Sequence, residues 1–186
     1  MVLLLLLRKR TDEHKALKTV VPSSSWKRAT EDEKFRFAGH AATLQNGVAF
    51  SLNLSPKQQA KLKKHKDPLR AFTDTLNREL KKQNLSGIPY ALSLEDSKKD
   101  KLHVHGFMVP PSGSLEALKA AIRAAGGLFD KSAATRQLTV KPLFGGAGWA
   151  FYCQKDTIRT GKKLEGEPRL FLSRSMTKIS REFSGQ

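Results

Sequence analysis

The chain has one cysteine, Cys153, among its 186 residues. A lone thiol excludes an internal disulfide framework, and it excludes a structural zinc site built on several cysteines. It fits a reducing, cytoplasmic setting. Long apolar runs are scarce as well. The run Val2–Leu7 in MVLLLLLRKR is far short of the ~20 residues that a helical membrane span needs. Arg8, Lys9 and Arg10 follow that run instead of preceding it, and no small-residue cleavage site comes after it, so a signal peptide is not indicated. The run reads as an N-terminal strand, a start-site artefact or a sticky arm, and no membrane partner is expected. The GxxxxGK[ST] pattern of a phosphate-binding loop is missing, which argues against a nucleotide-driven motor. Tyrosine is rare, with Tyr90 and Tyr152 only. Acidic residues are few: 17 Asp and Glu stand against 34 Lys and Arg, for a net charge of +17 and a pI near 10.2. Such an excess points to a polyanionic partner, nucleic acid first.

Residues 1–35 read as a charged arm with little apolar periodicity. From Gly47 the texture changes. GVAFSLNLS alternates Val48, Phe50, Leu52 and Leu54 with Ala49, Ser51 and Asn53, the period of a half-buried strand. Asp67–Pro68 then forms a helix start, a capping residue followed by proline at the first helical position. Leu69, Phe72, Leu76 and Leu80 follow at helical spacing, and the lysine-rich stretch before them suits a short separate helix. IPYALSLE and KLHVHGFMV read as the two strands of a hairpin across the polar turn DSKKD. Ser114 is placed to cap a helix that Gly126–Gly127 closes. RQLTVKPL is a further strand, GGAG at Gly145–Gly148 a flexible joint, and WAFYCQKDTI a helix. The order predicts an α+β fold, a central antiparallel sheet with helices on one face. The domain is expected over 36–160, with a basic C-terminal extension at 161–186 that can pack on it. Inside that extension RLFLS alternates like one more strand.

His103 and His105 are separated by one valine. Alternate residues of a strand share a face, so the two imidazoles lie on one side, about 6.6–7 Å apart at their Cα atoms. Leu102, Val104 and Met108 then face the helices, and the histidines the open side of the sheet. If the hairpin turn centres near Lys99, Glu95 lies opposite His103 and Ser93 opposite His105, and Glu95 shares the histidine face. Two imidazoles and a carboxylate suit a divalent ion, Mg²⁺ or Mn²⁺, that polarises a phosphate oxygen. Surface histidine pairs are common, so the pattern alone leaves plain exposure open. His40 is a spare candidate ligand.

Tyr90 reads as an apolar ring with a tethered hydroxyl. Tyr152 differs. Lys155 follows three residues on, so a helix places both on one face. A tyrosine hydroxyl can attack phosphorus and store the bond as a phosphotyrosine, with the lysine holding the phosphate or the developing phenolate. Packing of Trp149, Phe151 and Tyr152 is the alternative. Cys153, beside it, reads as a small buried residue.

Taken together, the strand-borne His103-Val104-His105, the upstream Glu95 and the later helical Tyr152-x-x-Lys155 resemble the HUH endonucleases. The order is similar to that of single-tyrosine rolling-circle replication initiators, and AFSLNLS at Ala49–Ser55 is similar to their first strand motif. The likeness spans about Gly47 to Ile158. It implies a ferredoxin- or RRM-like fold. His103, His105 and Glu95 would hold Mg²⁺ or Mn²⁺, and Tyr152 would be the nucleophile with Lys155 assisting. The implied activity is a site-specific nick in single-stranded DNA at a plasmid or phage replication origin, with later strand transfer. A host helicase would do the unwinding. The basic residues after Tyr152, among them Arg159, Lys162, Lys163, Arg174 and Lys178, are expected to grip the DNA backbone. The alternatives are a single-tyrosine transposase, a relaxase-like enzyme, or a nucleic-acid-binding module without catalysis.

Overall fold

A computed structural model describes residues 25–97, 101–129, 136–155, 157–163 and 169–184. The Val2–Leu7 run and most of the hairpin turn lie outside the described residues. Five strands form one sheet: β1 (Val48–Asn53), β2 (Tyr90–Asp96), β3 (Leu102–Met108), β4 (Leu138–Pro142) and β5 (Leu170–Leu172). Their order is β4-β1-β3-β2-β5, and every neighbouring pair is antiparallel. The first four strands have the ferredoxin-like arrangement, in which β3 inserts between β1 and β2.

The expected helical layer is formed by α2 (Pro56–Lys63), α3 (Pro68–Lys82) and α4 (Leu115–Gly126). Phe50, Leu52, Leu92, Leu94 and Val104 pack there against Leu69, Phe72, Leu76, Leu80, Leu118 and Ile122. Burying each such side chain is worth about 1.5–3 kcal/mol. The start of α3 follows its sequence signal. Asp67 accepts a hydrogen bond from the Arg70 amide at 2.8 Å, and Pro68 opens the helix. Ser114 precedes α4 as expected, but its hydroxyl donates to the Pro111 carbonyl at 2.7 Å instead of capping the helix. Gly127 (φ 83°) ends α4 in a conformation that suits glycine.

The opposite face also carries helices. They are α1 (Glu31–Leu44), α5 (Gly146–Cys153) and α7 (Arg174–Phe183), while α6 (Thr157–Lys163) packs beside β2. Phe35, Ala38 and Ala42 of α1 meet Phe107, Ala91, Ala150, Cys153 and Met176 in a second core cluster. The face bearing the histidines is therefore partly roofed.

Two expectations need correction, and one was left open. The arm predicted for residues 1–35 cannot reach residue 35: Trp26 and Ala29 are buried and Phe35 is fully so. Helix α1 begins at Glu31 behind a capping box, in which Thr30 and Glu33 bond each other's backbone amides. Gly145–Gly148 is not a joint, because Gly146 starts α5. A methyl on Gly146 would collide with the Gly39 carbonyl, and one on Gly39 with the Gly146 carbonyl, so this glycine pair lets α1 and α5 meet backbone to backbone. Finally, residues 169–184 belong to the domain: β5 pairs with β2, as RLFLS suggested, and α7 packs on α1. No helix among the described residues is long and apolar enough to cross a membrane.

Candidate active site on the roofed sheet face

β3 is the central strand, and its pairing fixes the site. Glu95 stands opposite His103, and Ser93 opposite His105, in the register expected from the turn. On the other side Ser51 of β1 stands opposite His105, and Asn53 opposite His103. Because directly opposed residues share a face, Ser51, Ser93, Glu95 and both histidines gather on one patch.

Helix α5 is moored over that patch by named hydrogen bonds. The Gly146 amide donates to Thr43 Oγ1 of α1 at 3.0 Å. The indole of Trp149 donates to the Gly106 carbonyl, next to His105, at 2.9 Å. Ser93 Oγ donates to the Cys153 carbonyl at 2.7 Å. Gln154, just past the helix, donates to the Asp32 carbonyl at 3.0 Å. Trp149 and Tyr152, three residues apart, stack with ring centres 5.0 Å apart, and both rings stand nearly perpendicular to that of His105, at 81° and 82°. The Tyr152 ring centre lies 5.7 Å from that of His105.

The polar contacts run in a chain. Ser51 Oγ lies 2.9 Å from His105 Nδ1, and His105 Nε2 lies 2.7 Å from Glu95 Oε2. Lys155 Nζ is 3.6 Å from the same Glu95 oxygen and donates to the Tyr152 phenol oxygen at 2.5 Å. The structure thus brings together Glu95, His105, Tyr152 and Lys155. The ring of His103 lies parallel to that of His105, with centres 6.4 Å apart. Among the described residues, no group of three His, Cys, Asp or Glu side chains is already arranged as a metal cage.

Burial separates the roles. His105 and Glu95 are buried, whereas Tyr152 is 42% exposed. Burial first, then the charges of Lys155 and His103, pushes the His105 imidazole down to about 4, although the Glu95 carboxylate favours the charged ring. His103 is lowered as well, by burial and then by Lys155 and Lys101, with Asp96 opposing. Neutral imidazoles keep a lone pair for a ligand, and the donor set of two neutral rings and a carboxylate fits a divalent ion chemically. With His105 neutral, its Nε2–H donates to Glu95 and its Nδ1 accepts from the Ser51 hydroxyl, so an ion would take the place of the Nε2 proton. Burial pushes the Cys153 thiol far above its ordinary range, in keeping with an inert side chain.

Other expected residues fall elsewhere. His40 is on α1, buried with its ring centre 4.3 Å from that of Phe183. Tyr90 does what its sequence context suggested: it stacks on Phe171 and its hydroxyl donates to Asn77 at 2.8 Å. Arg159 is committed to the fold, donating to the Asp96 carbonyl at 3.0 and 2.8 Å. Lys162 is exposed on α6, and the side chain of Lys163 lies outside the described part. Arg174 and Lys178 line a separate groove of about 660 Å³ with Trp26, Lys27 and Arg181, sharing no residue with the tyrosine cluster. Sequence reasoning missed Trp149 as a partner of Tyr152, though their spacing put them on one helical face. It also missed Ser51, which strand alternation had placed on the histidine side.

Comparison of the chain with protein-family models, with curated proteins and with solved structures found no match.

Proposed function

We propose that this chain is a metal-dependent nickase and strand transferase for single-stranded DNA that works through a 5′-phosphotyrosine, acting at a replication origin of rolling-circle type. One observation carries the reading. A half-exposed phenol, Tyr152, touches the ammonium of Lys155 at 2.5 Å directly above the paired His105 and Glu95. An ammonium against a phenol oxygen stabilises the phenolate and, during reaction, the charge gathering on the phosphate.

In this reading Tyr152 Oη attacks phosphorus and its proton passes to solvent. The bond from phosphorus to the 3′ oxygen breaks, and that oxygen leaves and is protonated. The 5′ end stays on Tyr152. In strand transfer a 3′ hydroxyl attacks the phosphotyrosine and the phenol is restored. His103, His105 and Glu95 would hold Mg²⁺ or Mn²⁺, which when bound supplies polarisation of a non-bridging phosphate oxygen. Ser51 holds the His105 ring, and the moorings of α5 hold Tyr152 at a fixed place relative to it. The net charge of +17 supports an anionic polymer as substrate.

The test is a denaturing gel of protein incubated with Mn²⁺ and a labelled single-stranded library rich in candidate origin sequences. A protein–DNA adduct that vanishes in Tyr152→Phe and with EDTA supports the proposal. Binding without any adduct favours a non-catalytic binding module, and cleavage without an adduct removes Tyr152 from its role.

A further inference from the structure

Among the described residues, the exposed large apolar side chains include three aromatics, Phe144, Phe151 and Tyr152, all within nine residues of chain. Phe144 is 65% exposed in the short loop between β4 and α5. Apolar surface clustered in this way marks a contact site more often than chance.

The ring of Phe144 borders a groove of about 410 Å³ that runs beside the candidate nucleophile. Its floor comes from β1 and β4. Ser51 pairs with Thr139 and Ala49 with Lys141, so these four side chains share the histidine face. Its wall is α5, with Trp149 and Tyr152. Ser51 contacts His105, and Tyr152 is the proposed nucleophile, so the groove opens directly onto the reacting centre. A ligand here meets flat rings, two hydroxyls and one ammonium, Lys141. Flat apolar surface with an adjacent cation fits a nucleobase joined to a phosphate, because a base stacks on aromatic side chains whatever its identity and its phosphate needs a positive charge.

We propose that this groove is the seat of the nucleobase adjoining the scissile phosphate, with Phe144 as the stacking ring and Lys141 holding the neighbouring phosphate. The proposal rests on the nickase reading and adds how the strand is positioned. Seating one base beside Tyr152 places its phosphate over the phenol and the histidines, which turns loose electrostatic binding into an aligned complex. The separate basic groove around Arg174 and Lys178 holds no exposed aromatic side chain, because its Trp26 is buried.

The test is fluorescence anisotropy with labelled (dT)₁₅ and an abasic deoxyribose-phosphate oligomer of equal length, at fixed salt. The intact chain is expected to bind (dT)₁₅ at least tenfold more tightly than the abasic strand. Phe144→Ala should lose about tenfold for (dT)₁₅ and little for the abasic strand, in line with one stacked base. Phe144→Trp should keep the affinity and Phe144→Leu should not. Lys141→Ala should weaken both strands and flatten the salt dependence by about one phosphate contact. Since Phe144 is exposed, its variants fold, and circular dichroism checks this. If (dT)₁₅ binds well but Phe144→Ala binds equally well, the base seat is wrong while the nickase reading stands. If neither strand binds the intact chain at all, the nucleic-acid reading falls and takes the seat with it.

Discussion

Lys155 Nζ stands between two partners, 2.5 Å from the phenol oxygen of Tyr152 and 3.6 Å from Glu95 Oε2. The ammonium also lies 3.8 Å from the Tyr152 ring centre. One cation therefore couples the half-exposed phenol to the buried carboxylate. Lys155→Met should slow adduct formation by about 10²–10³-fold, the cost of removing one charge-stabilising donor. DNA affinity should fall much less. Single-turnover adduct kinetics at saturating DNA check this, and an unchanged rate would remove Lys155 from the chemistry.

Ser51 holds His105 through Nδ1 at 2.9 Å, and partners of metal-binding histidines commonly contribute 10–100-fold to metal affinity. Ser51→Ala should raise the Mn²⁺ concentration for half-maximal adduct yield by about that factor. The yield should recover at high Mn²⁺. His103→Ala and Glu95→Gln should not recover so readily, because each removes a proposed ligand. A Mn²⁺ titration that is identical for Ser51→Ala and the unmodified chain counts against the site.

The contact of α1 with α5 depends on glycine at two positions and is indifferent to it at a third. A methyl on Gly39 or Gly146 meets the facing backbone, whereas at Gly148 nothing lies within 4 Å. Gly39→Ala and Gly146→Ala should each destabilise the fold by about 1–3 kcal/mol, as overpacking does. Gly148→Ala, in a helix with open space, should stabilise by about 0.5–1 kcal/mol. Urea denaturation of the three variants separates them, and a stabilising Gly146→Ala would sink this account of how α5 is seated.

The residues of β1, β2 and β3 were legible because large apolar residues alternate strictly with small or polar ones, although helices cover both faces. A slip by one residue would have put Leu94 and Val104 into the site and Glu95 into the core. The pairing of Glu95 with His103 followed from placing the turn near Lys99. Helix α1 was hidden. Its charged opening, Glu31–Lys34, masks an apolar face made partly of small residues, Ala38, Gly39 and Ala42. The Thr30–Glu33 capping box was a local signal that could have exposed it. Gly145–Gly148 misled for a different reason: glycine marks flexibility and close approach alike, and only the facing Gly39 tells which. Local sequence could not show that the Arg159 guanidinium also donates to the Asp96 carbonyl.

Two buried acids make the fold sensitive to alkali. Burial, with a smaller push from the Asp74 charge and an opposing hydrogen bond to Asn77, raises the Tyr90 phenol from 10.0 to about 12. Burial, with the Glu95 charge adding and Lys155 opposing, holds the Cys153 thiol well above its ordinary 9.0. At pH 8 and below both groups are largely protonated in the folded and the unfolded chain, and neither affects stability appreciably. As the pH rises past that point the unfolded chain releases its protons while the folded chain keeps them. The folded state then binds more protons, so its stability falls with rising pH. By pH 10.5 the thiol alone accounts for roughly 2 kcal/mol of that loss, at 1.36 kcal/mol for each pH step above its unfolded value. Cys153→Ala removes this contribution and adds only a small cavity that does not titrate. Urea denaturation of both chains at pH 8 and pH 10.5 should show a clearly smaller drop for Cys153→Ala, with the remainder carried by Tyr90 and other acids. Equal drops would mean that the thiol is open to solvent in the folded chain, and the packing of α5 against Ala91 and Phe107 would have to be looser than the buried contacts require.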